Sequence, residues 1–165
     1  MSESHPAPPV IAVVCSANVC RSPMAHAIFV SELRRRRLEV NVLGAGILDM
    51  ERMQAAPHSQ AACELYGTPL PKLESVHYKT VNLQSAVRVF GMEHRHLFIL
   101  ERDAEIPAAR LSLLGEYDPE QRGDQISDPM GGTLEQHLAC YRRLHACIVR
   151  YLDTTHDFAG AVENE

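Results

Sequence analysis

The sequence predicts an α/β domain built on an open parallel sheet. Short apolar runs alternate with helix-like segments along most of the chain, and the connections between them are short or moderate. The run at residues 10–14 is unbroken, as expected for a central strand covered on both faces. Right-handed crossovers place helices on both faces of such a sheet, and functional loops follow the carboxyl ends of its strands.

Composition describes one ordinary globular domain. The 165 residues suffice for a sizeable core. The net charge of -5 leaves no basic excess, so we expect no nucleic acid partner. Apolar runs stay well below the ~18 residues of a membrane span, and residues 1–9 lack a signal-peptide core, so we expect no membrane partner. Five cysteines without a disulfide framework suit a reducing cytoplasm.

The domain is predicted to occupy residues 10–153, between two tails. Residues 1–9 are polar and rich in proline, with nothing to bury, so we predict a disordered tail. Residues 154–165 are predicted to form a frayed, acidic C-terminal tail. No internal repeat or second domain is visible in the sequence.

A loop and a helix start follow the first strand. Ser22 and Pro23 are predicted to supply an N-cap and a first-turn proline, before a segment with helical apolar spacing. The loop contains no glycine, so another residue must take a left-handed conformation. Asn18 is the best candidate, because asparagine tolerates a positive φ better than serine, alanine or valine.

This loop has the features of an anion site with a nucleophile. Backbone N–H groups converge above the positive end of a helix, where they bind anions. Cys15 lies at the mouth, and the same N–H groups together with the Arg21 guanidinium favour a thiolate. Arg21 also offers a planar fork to two phosphate oxygens. The predicted phosphate-binding residues are Ser16, Ala17, Asn18, Val19, Cys20 and Arg21, with Ser22 in support.

The pattern Cys-x4-Cys-Arg-Ser-Pro at residues 15–23 closely resembles the low-molecular-weight protein tyrosine phosphatases, over roughly residues 10–153. The motif Asp-Pro-x-Gly-Gly at residues 128–132 resembles their bacterial branch. The resemblance implies strand order 2-1-3-4 in a flavodoxin-like three-layer sandwich. It implies a cysteine-dependent phosphomonoesterase that hydrolyses protein phosphotyrosine through a phosphocysteine intermediate. It also implies phosphate or sulfate binding in the loop. The sequence contains no metal motif and no cofactor loop, so we expect no cofactor or metal.

Further site residues are implied by the same resemblance. Alone, the Asp128 motif would be only a turn; in this family it carries the general acid, and Asp128 matches that position. His77 matches a histidine that hydrogen-bonds the phosphate-loop asparagine, here Asn18. Met50 lies in the loop that forms one wall of the cleft, and Met130 stands where eukaryotic members carry an aromatic residue. We therefore expect Met50 and Met130 to line the substrate.

The remaining elements follow from local patterns. The run at residues 97–100 could be a strand, but the charged residues on both sides leave room for one helix, which the resemblance also implies. Thr133 and Gln136 form a capping box that begins the final helix. Cys140 and Cys147 lie on one stripe of that helix and are interpreted as core residues. Strands are predicted at residues 40–43, 86–92 and 111–114, and another helix at 57–66.

Three alternatives to a tyrosine phosphatase stay open. The first is a protein-arginine phosphatase, a similar bacterial branch that typically carries threonine at the position of Val19. Valine suits the face of a phenol and offers no hydrogen bond to a guanidinium. Phosphoarginine is therefore the second choice of substrate. An arsenate reductase would need cysteines after the third strand, and residues 81–139 contain none. A non-catalytic phosphate-binding module would not need both Cys15 and Asp128.

Cys20 has two interpretations. The curl of the loop could bring it within disulfide range of Cys15, which predicts a reversible bond that protects Cys15 from overoxidation. The alternative is a small buried residue that fills space.

Overall fold

A computed structural model of the protein describes residues 4–50, 52–159 and 161. Its sheet has the order β2-β1-β3-β4, with parallel pairing throughout. The predicted α/β class and strand order 2-1-3-4 are therefore confirmed. The strands lie where the sequence predicted them, with ends displaced by a few residues: β1 (Val10–Cys15), β2 (Asn41–Gly46), β3 (Arg88–Gly91) and β4 (Leu111–Leu113).

Helices cover both faces of the sheet. The α-helices are α1 (Arg21–Arg35), α2 (Pro57–Leu65), α3 (His94–Arg102) and α4 (Leu134–Thr154). Alternate residues of β1 point to opposite faces. Ile11 and Val13 join the core under α1, α2 and α4, whereas Ala12 and Val14 join a smaller core that includes Leu100 of α3. Within the described residues, no helix is long and apolar enough to cross a membrane.

The start of α1 differs from the prediction. Cys20, rather than Ser22, is the N-cap residue, and no side chain caps the helix. Pro23 does lie in the first turn. The physical reason is that the Ser22 hydroxyl is engaged inside the loop, where it accepts a hydrogen bond from Asn18 Nδ2 at 2.6 Å. An uncapped start leaves helix N–H groups available to an anion.

The final helix begins at the predicted capping box. Thr133 Oγ1 accepts a hydrogen bond from Gln136 N, and Gln136 Oε1 accepts one from Thr133 N. Cys140 and Cys147 lie in the larger core, where burial raises the pKa of each thiol to about 12. Both are protonated core residues, as interpreted from their spacing.

The predicted frayed tail after residue 153 is wrong where the structure describes it. Asp157 accepts hydrogen bonds from Arg88 at the start of β3 and from the Tyr151 hydroxyl. Phe158 is buried and meets the Tyr151 ring edge-on. The acidic composition suggested a solvated end, but Asp157 has a partner on the sheet and Phe158 has an aromatic neighbour. Residues 160 and 162–165 lie outside the described residues.

At the other end, residues 4–8 are exposed and form neither helix nor strand. The carbonyl of Pro9 accepts a hydrogen bond from Asn41 N at 2.9 Å. Residues 1–3 of the predicted tail lie outside the described residues.

Candidate active site

The loop that joins β1 to α1 closes around the sulfur of Cys15. Asn18 has a φ of 57°, so it takes the left-handed conformation that the sequence predicted. This turn brings the Asn18 backbone N–H back to Cys15 Sγ at 3.3 Å. The Cys15 side chain lies at the carboxyl end of the central strand, almost fully buried. The geometry matches an anion-binding loop with a nucleophile at its base.

Asn18 and Ser22 support that sulfur from one side. Asn18 Nδ2 donates to Ser22 Oγ, and Ser22 Oγ lies 3.1 Å from Cys15 Sγ. Because the amide supplies the proton in the first contact, the Ser22 hydroxyl keeps its own proton for the sulfur. A hydroxyl aimed in this way stabilises a thiolate.

The expected hydrogen bond between His77 and Asn18 is not formed. Asn18 Oδ1 instead accepts from the backbone N–H of Val76 at 3.1 Å. The His77 ring packs against Tyr78, with ring centroids 4.5 Å apart, and its backbone bridges to Gly46 at the end of β2. The segment therefore positions Asn18 through its main chain. A match to a family position indicates that this segment contacts Asn18. It does not show whether the donor is the His77 side chain or the backbone N–H of Val76, one residue earlier.

The Arg21 side chain is fully buried and extends across the loop. Its first terminal nitrogen, Nη1, donates to Glu93 Oε1 at 2.6 Å and to the Ile126 carbonyl at 2.7 Å. The second, Nη2, lies 3.2 Å from Ser16 Oγ and 3.4 Å from Asp128 Oδ2. Nε has no acceptor among the described residues. The edge formed by Nε and Nη2 is the one that can bind two phosphate oxygens.

Glu93 is a site residue that the sequence reasoning missed. Partial burial alone would raise the pKa of its carboxyl. Hydrogen bonds from Arg21 and Arg95 outweigh the effect of burial, so the pKa lies below its usual value. Arg95 Nε donates to Glu93 Oε2 at 2.9 Å, so the carboxylate joins two guanidinium groups. One local signal could have drawn attention to Glu93 in the sequence: Glu93 and His96 form the capping box of α3.

His96 lies under the phosphate loop. Its Nδ1 accepts from the N–H groups of Met92 and Glu93, so Nε2 carries the proton and donates to Ser16 Oγ at 3.1 Å. Burial, with the charge of Arg21, lowers the pKa of His96 to about 4, and the ring is neutral. Within the described part of the chain, no cluster of three or more His, Cys, Asp or Glu could hold a metal.

Asp128 lies beside the loop, as the proposed acid must. Its Oδ1 accepts from the Met130 backbone N–H at 3.1 Å, and its Oδ2 lies near Arg21. About a third of its side chain is exposed (36 %), so a substrate oxygen can reach the carboxyl. Met130, two residues later, is also exposed.

The loop after β2 packs against the phosphate loop. Leu48 N donates to the Ser16 carbonyl at 2.8 Å. Gly46 makes the approach possible: a Cβ there would lie 2.7 Å from the Ala17 carbonyl carbon. Exposed apolar side chains lie on the loop after β2 and on the Asp128 loop, namely Leu48, Met50, Met53 and Met130, and we call this set the rim. Met50 and Met130 are both exposed, and their role as substrate walls stays a prediction.

Comparison with known proteins agrees with this geometry. The sequence model of the family described as "Low molecular weight phosphotyrosine protein phosphatase" matches residues 10–157. The chain belongs to this family. It is therefore a phosphoric monoester hydrolase, and the resemblance found in the sequence is confirmed.

Relatives with two named specificities are similar to this phosphatase. A "Protein-arginine-phosphatase" of Bacillus subtilis is 34% identical over 125 residues, which cover 76% of this chain and 82% of the relative. A "Low molecular weight protein-tyrosine phosphatase A" of Mycobacterium tuberculosis is 28% identical, with 90% of each chain covered. A crystal structure of a YwlE mutant from Bacillus subtilis superimposes with a TM-score of 0.78 at 29% identity, covering 88% of this chain and 97% of that one.

Proposed function

We propose that this phosphatase hydrolyses phosphotyrosine in proteins through a phosphocysteine intermediate on Cys15. The observation that carries the proposal is the convergence on Cys15 Sγ of the Asn18 N–H and the Ser22 hydroxyl, above the uncapped start of α1. These groups stabilise a thiolate, the form of cysteine that attacks phosphorus.

The first step transfers the phosphoryl group to sulfur. Cys15 Sγ attacks phosphorus, the P–O bond to the tyrosyl oxygen breaks, and Asp128 gives that oxygen a proton. Backbone N–H groups of residues 16–21 and the Nε–Nη2 edge of Arg21, whose Nε has no acceptor among the described residues, hold the equatorial oxygens. In the second step water attacks phosphorus, Asp128 takes the water proton, the S–P bond breaks, and inorganic phosphate leaves.

The rim supports an aromatic leaving group. Its exposed side chains are aliphatic or thioether groups, which pack against a phenol ring and accept no hydrogen bond of useful strength from a guanidinium. Val19 adds an apolar side chain to the phosphate loop, although it is buried, so its contact with a substrate is limited.

Phosphoarginine is the second candidate substrate. The similarity to a protein named as an arginine phosphatase favours it. The deciding measurement is kcat/KM on two peptides of the same sequence, one with phosphotyrosine and one with phosphoarginine. We expect faster phosphotyrosine turnover, and we expect Val19→Thr to narrow the difference. Faster phosphoarginine turnover by the unmodified protein would assign it to the second substrate.

The nucleophile has its own test. Cys15→Ser should abolish turnover of p-nitrophenyl phosphate and still bind vanadate or phosphate, because the loop backbone and Arg21 remain. Cys63→Ala is the matched control, since it removes a buried thiol of α2 that takes no part in the loop. Near-normal turnover by Cys15→Ser would refute the phosphocysteine mechanism.

Two further aspects belong to the same proposal. The absence of a disulfide among the described cysteines supports a reducing location such as the cytoplasm, where phosphorylated proteins are the partners. The position of Cys20 supports redox sensitivity of the catalytic cysteine. Cys20 lies in the same loop as Cys15, and we propose that the two form a reversible disulfide.

A further inference from the structure

A second set of soft ligand atoms surrounds the thiol of Cys20. Cys20 Sγ lies 3.9 Å from His137 Nε2 and 3.9 Å from Met130 Sδ. Cys20 and His137 are both buried to about 2% exposure. The buried Ser59 hydroxyl lies beside Cys20. The phosphatase mechanism uses neither His137 nor Ser59.

The His137 ring is fixed in the orientation that a metal ligand needs. Its Nδ1 lies 2.8 Å from the Thr133 carbonyl oxygen, which can only accept, so Nδ1 carries the proton. Nε2 is then left with a lone pair directed at Cys20. Histidines that bind metals usually donate their other N–H to a carbonyl or carboxylate in this way.

The two separations from Cys20 Sγ fit a three-coordinate ion. An ion about 2.3 Å from each sulfur and about 2.05 Å from nitrogen, with angles of 120°, separates the two sulfurs by about 4.0 Å and sulfur from nitrogen by about 3.8 Å. The observed separations from Cys20 Sγ, 3.9 Å in both cases, are close to these values.

We propose that Cys20, Met130 and His137 form a binding site for copper(I) beside the active site. On binding, the ion forms a bond to Cys20 Sγ and the thiol proton leaves to solvent, with no change in oxidation state. The Met130 thioether and His137 Nε2 complete the coordination with lone pairs. Because Cys20 belongs to the phosphate loop, a bound ion would lie directly beside the site proposed for Cys15.

Ligand type and charge select the ion. Thiolate and thioether sulfur favour copper(I), whereas zinc sites use thiolate, imidazole and carboxylate. One thiolate neutralises a monovalent ion, so the complex carries no net charge beside the buried Cys20 and His137. A divalent ion would leave an uncompensated charge there. Because Met130 follows Asp128 by two residues, a bound ion would also join the general-acid loop to the phosphate loop.

Binding is tested on the Cys15→Ser protein, which lacks the competing catalytic thiolate. Copper(I) is titrated anaerobically against the chromophoric chelator bicinchoninate. We expect one equivalent to bind, and we expect Met130→Leu and His137→Gln each to weaken binding at least ~10-fold. Met53→Leu, another exposed methionine, and His145→Gln, an exposed histidine of α4, should bind as the parent does.

Met130 is exposed, so Met130→Leu keeps the fold and its result cannot be attributed to unfolding. X-ray absorption at the copper edge should show two sulfur ligands and one nitrogen ligand. Equal affinity of Met130→Leu and Met53→Leu, or a failure of the Cys15→Ser protein to compete with the chelator, would overturn the proposal.

Discussion

The guanidinium of Arg21 donates a 2.6 Å hydrogen bond to the carboxylate of Glu93, which lies 72 residues later in the chain. Arg21 is fully buried in this ion pair, and Glu93 is 21% exposed. The pair holds Nη1 away from the loop, so that Nε and Nη2 face the place where a phosphate would bind. Loss of one partner from a buried pair is costly, because the other charge stays uncompensated.

Replacement of that carboxylate should impair catalysis more than folding. Glu93→Gln keeps the size and the capping group of α3 but removes the charge that orients Arg21. We expect kcat/KM to fall roughly 10- to 100-fold, as for a misplaced catalytic group, with weaker inhibition by phosphate and an unchanged circular dichroism spectrum. Glu101→Gln, an exposed carboxylate of the same helix, is the control. Unchanged turnover would show that Ile126 and the loop alone orient Arg21.

The acid role of Asp128 predicts a dependence on the leaving group. Asp128→Asn should slow release of phenol from phenyl phosphate by about 100-fold or more, because phenolate leaves poorly without a proton. Release of p-nitrophenol, measured in the pre-steady-state burst, should suffer much less. Asp124→Asn, an exposed neighbour in sequence, should behave as the parent. An equal loss on both esters would contradict the acid role.

Oxidation should produce a reversible Cys15–Cys20 disulfide. Peroxide converts Cys15 to its sulfenic acid, and Cys20 condenses with it to release water. Burial raises the pKa of Cys20 to about 11, so the closure rate should increase between pH 7 and pH 9 as the thiolate fraction grows.

Mass spectrometry and recovery of activity with dithiothreitol test this oxidation. Cys20→Ala should lose the recovery and accumulate sulfinic acid at Cys15, whereas Cys63→Ala should recover as the parent does. Irreversible Cys15 oxidation alone in the unmodified protein would favour a purely space-filling Cys20.

The docked C-terminal segment predicts a pH-dependent stability. Partial burial works to raise the pKa of Asp157, but hydrogen bonds from Arg88 and Tyr151 outweigh it and lower the pKa. A depressed pKa contributes stability that is present above the unfolded value of about 3.9 and is lost as the pH falls through the folded value.

Asp157→Asn should therefore reduce the free energy of unfolding by about 1–3 kcal/mol at pH 7, and the difference from the parent should shrink below about pH 4. Urea denaturation at both pH values measures it. Asp153→Asn, which removes an exposed pair with Arg36, should cost less than about 1 kcal/mol. A truly frayed tail would make the two variants equal.

Local features of the sequence determined the fold class and the catalytic loop. Hydrophobic periodicity and short connections specify a parallel α/β sheet, because each element must bury its own apolar side. Asn18 was identifiable as the left-handed residue, because the loop has no glycine and the other candidates resist a positive φ. The spacing of Cys15 and Arg21 indicated the anion site, since both belong to one short loop.

Only the tertiary structure decided which distant groups meet that loop. Glu93 and His96 reach it from α3, and Val76 rather than His77 holds Asn18. Met130 and His137 approach Cys20 although more than a hundred residues separate them from it in sequence. These partners depend on how parallel strands are ordered and how helices pack across them, and neither propensity nor spacing along the chain encodes a contact between side chains so far apart.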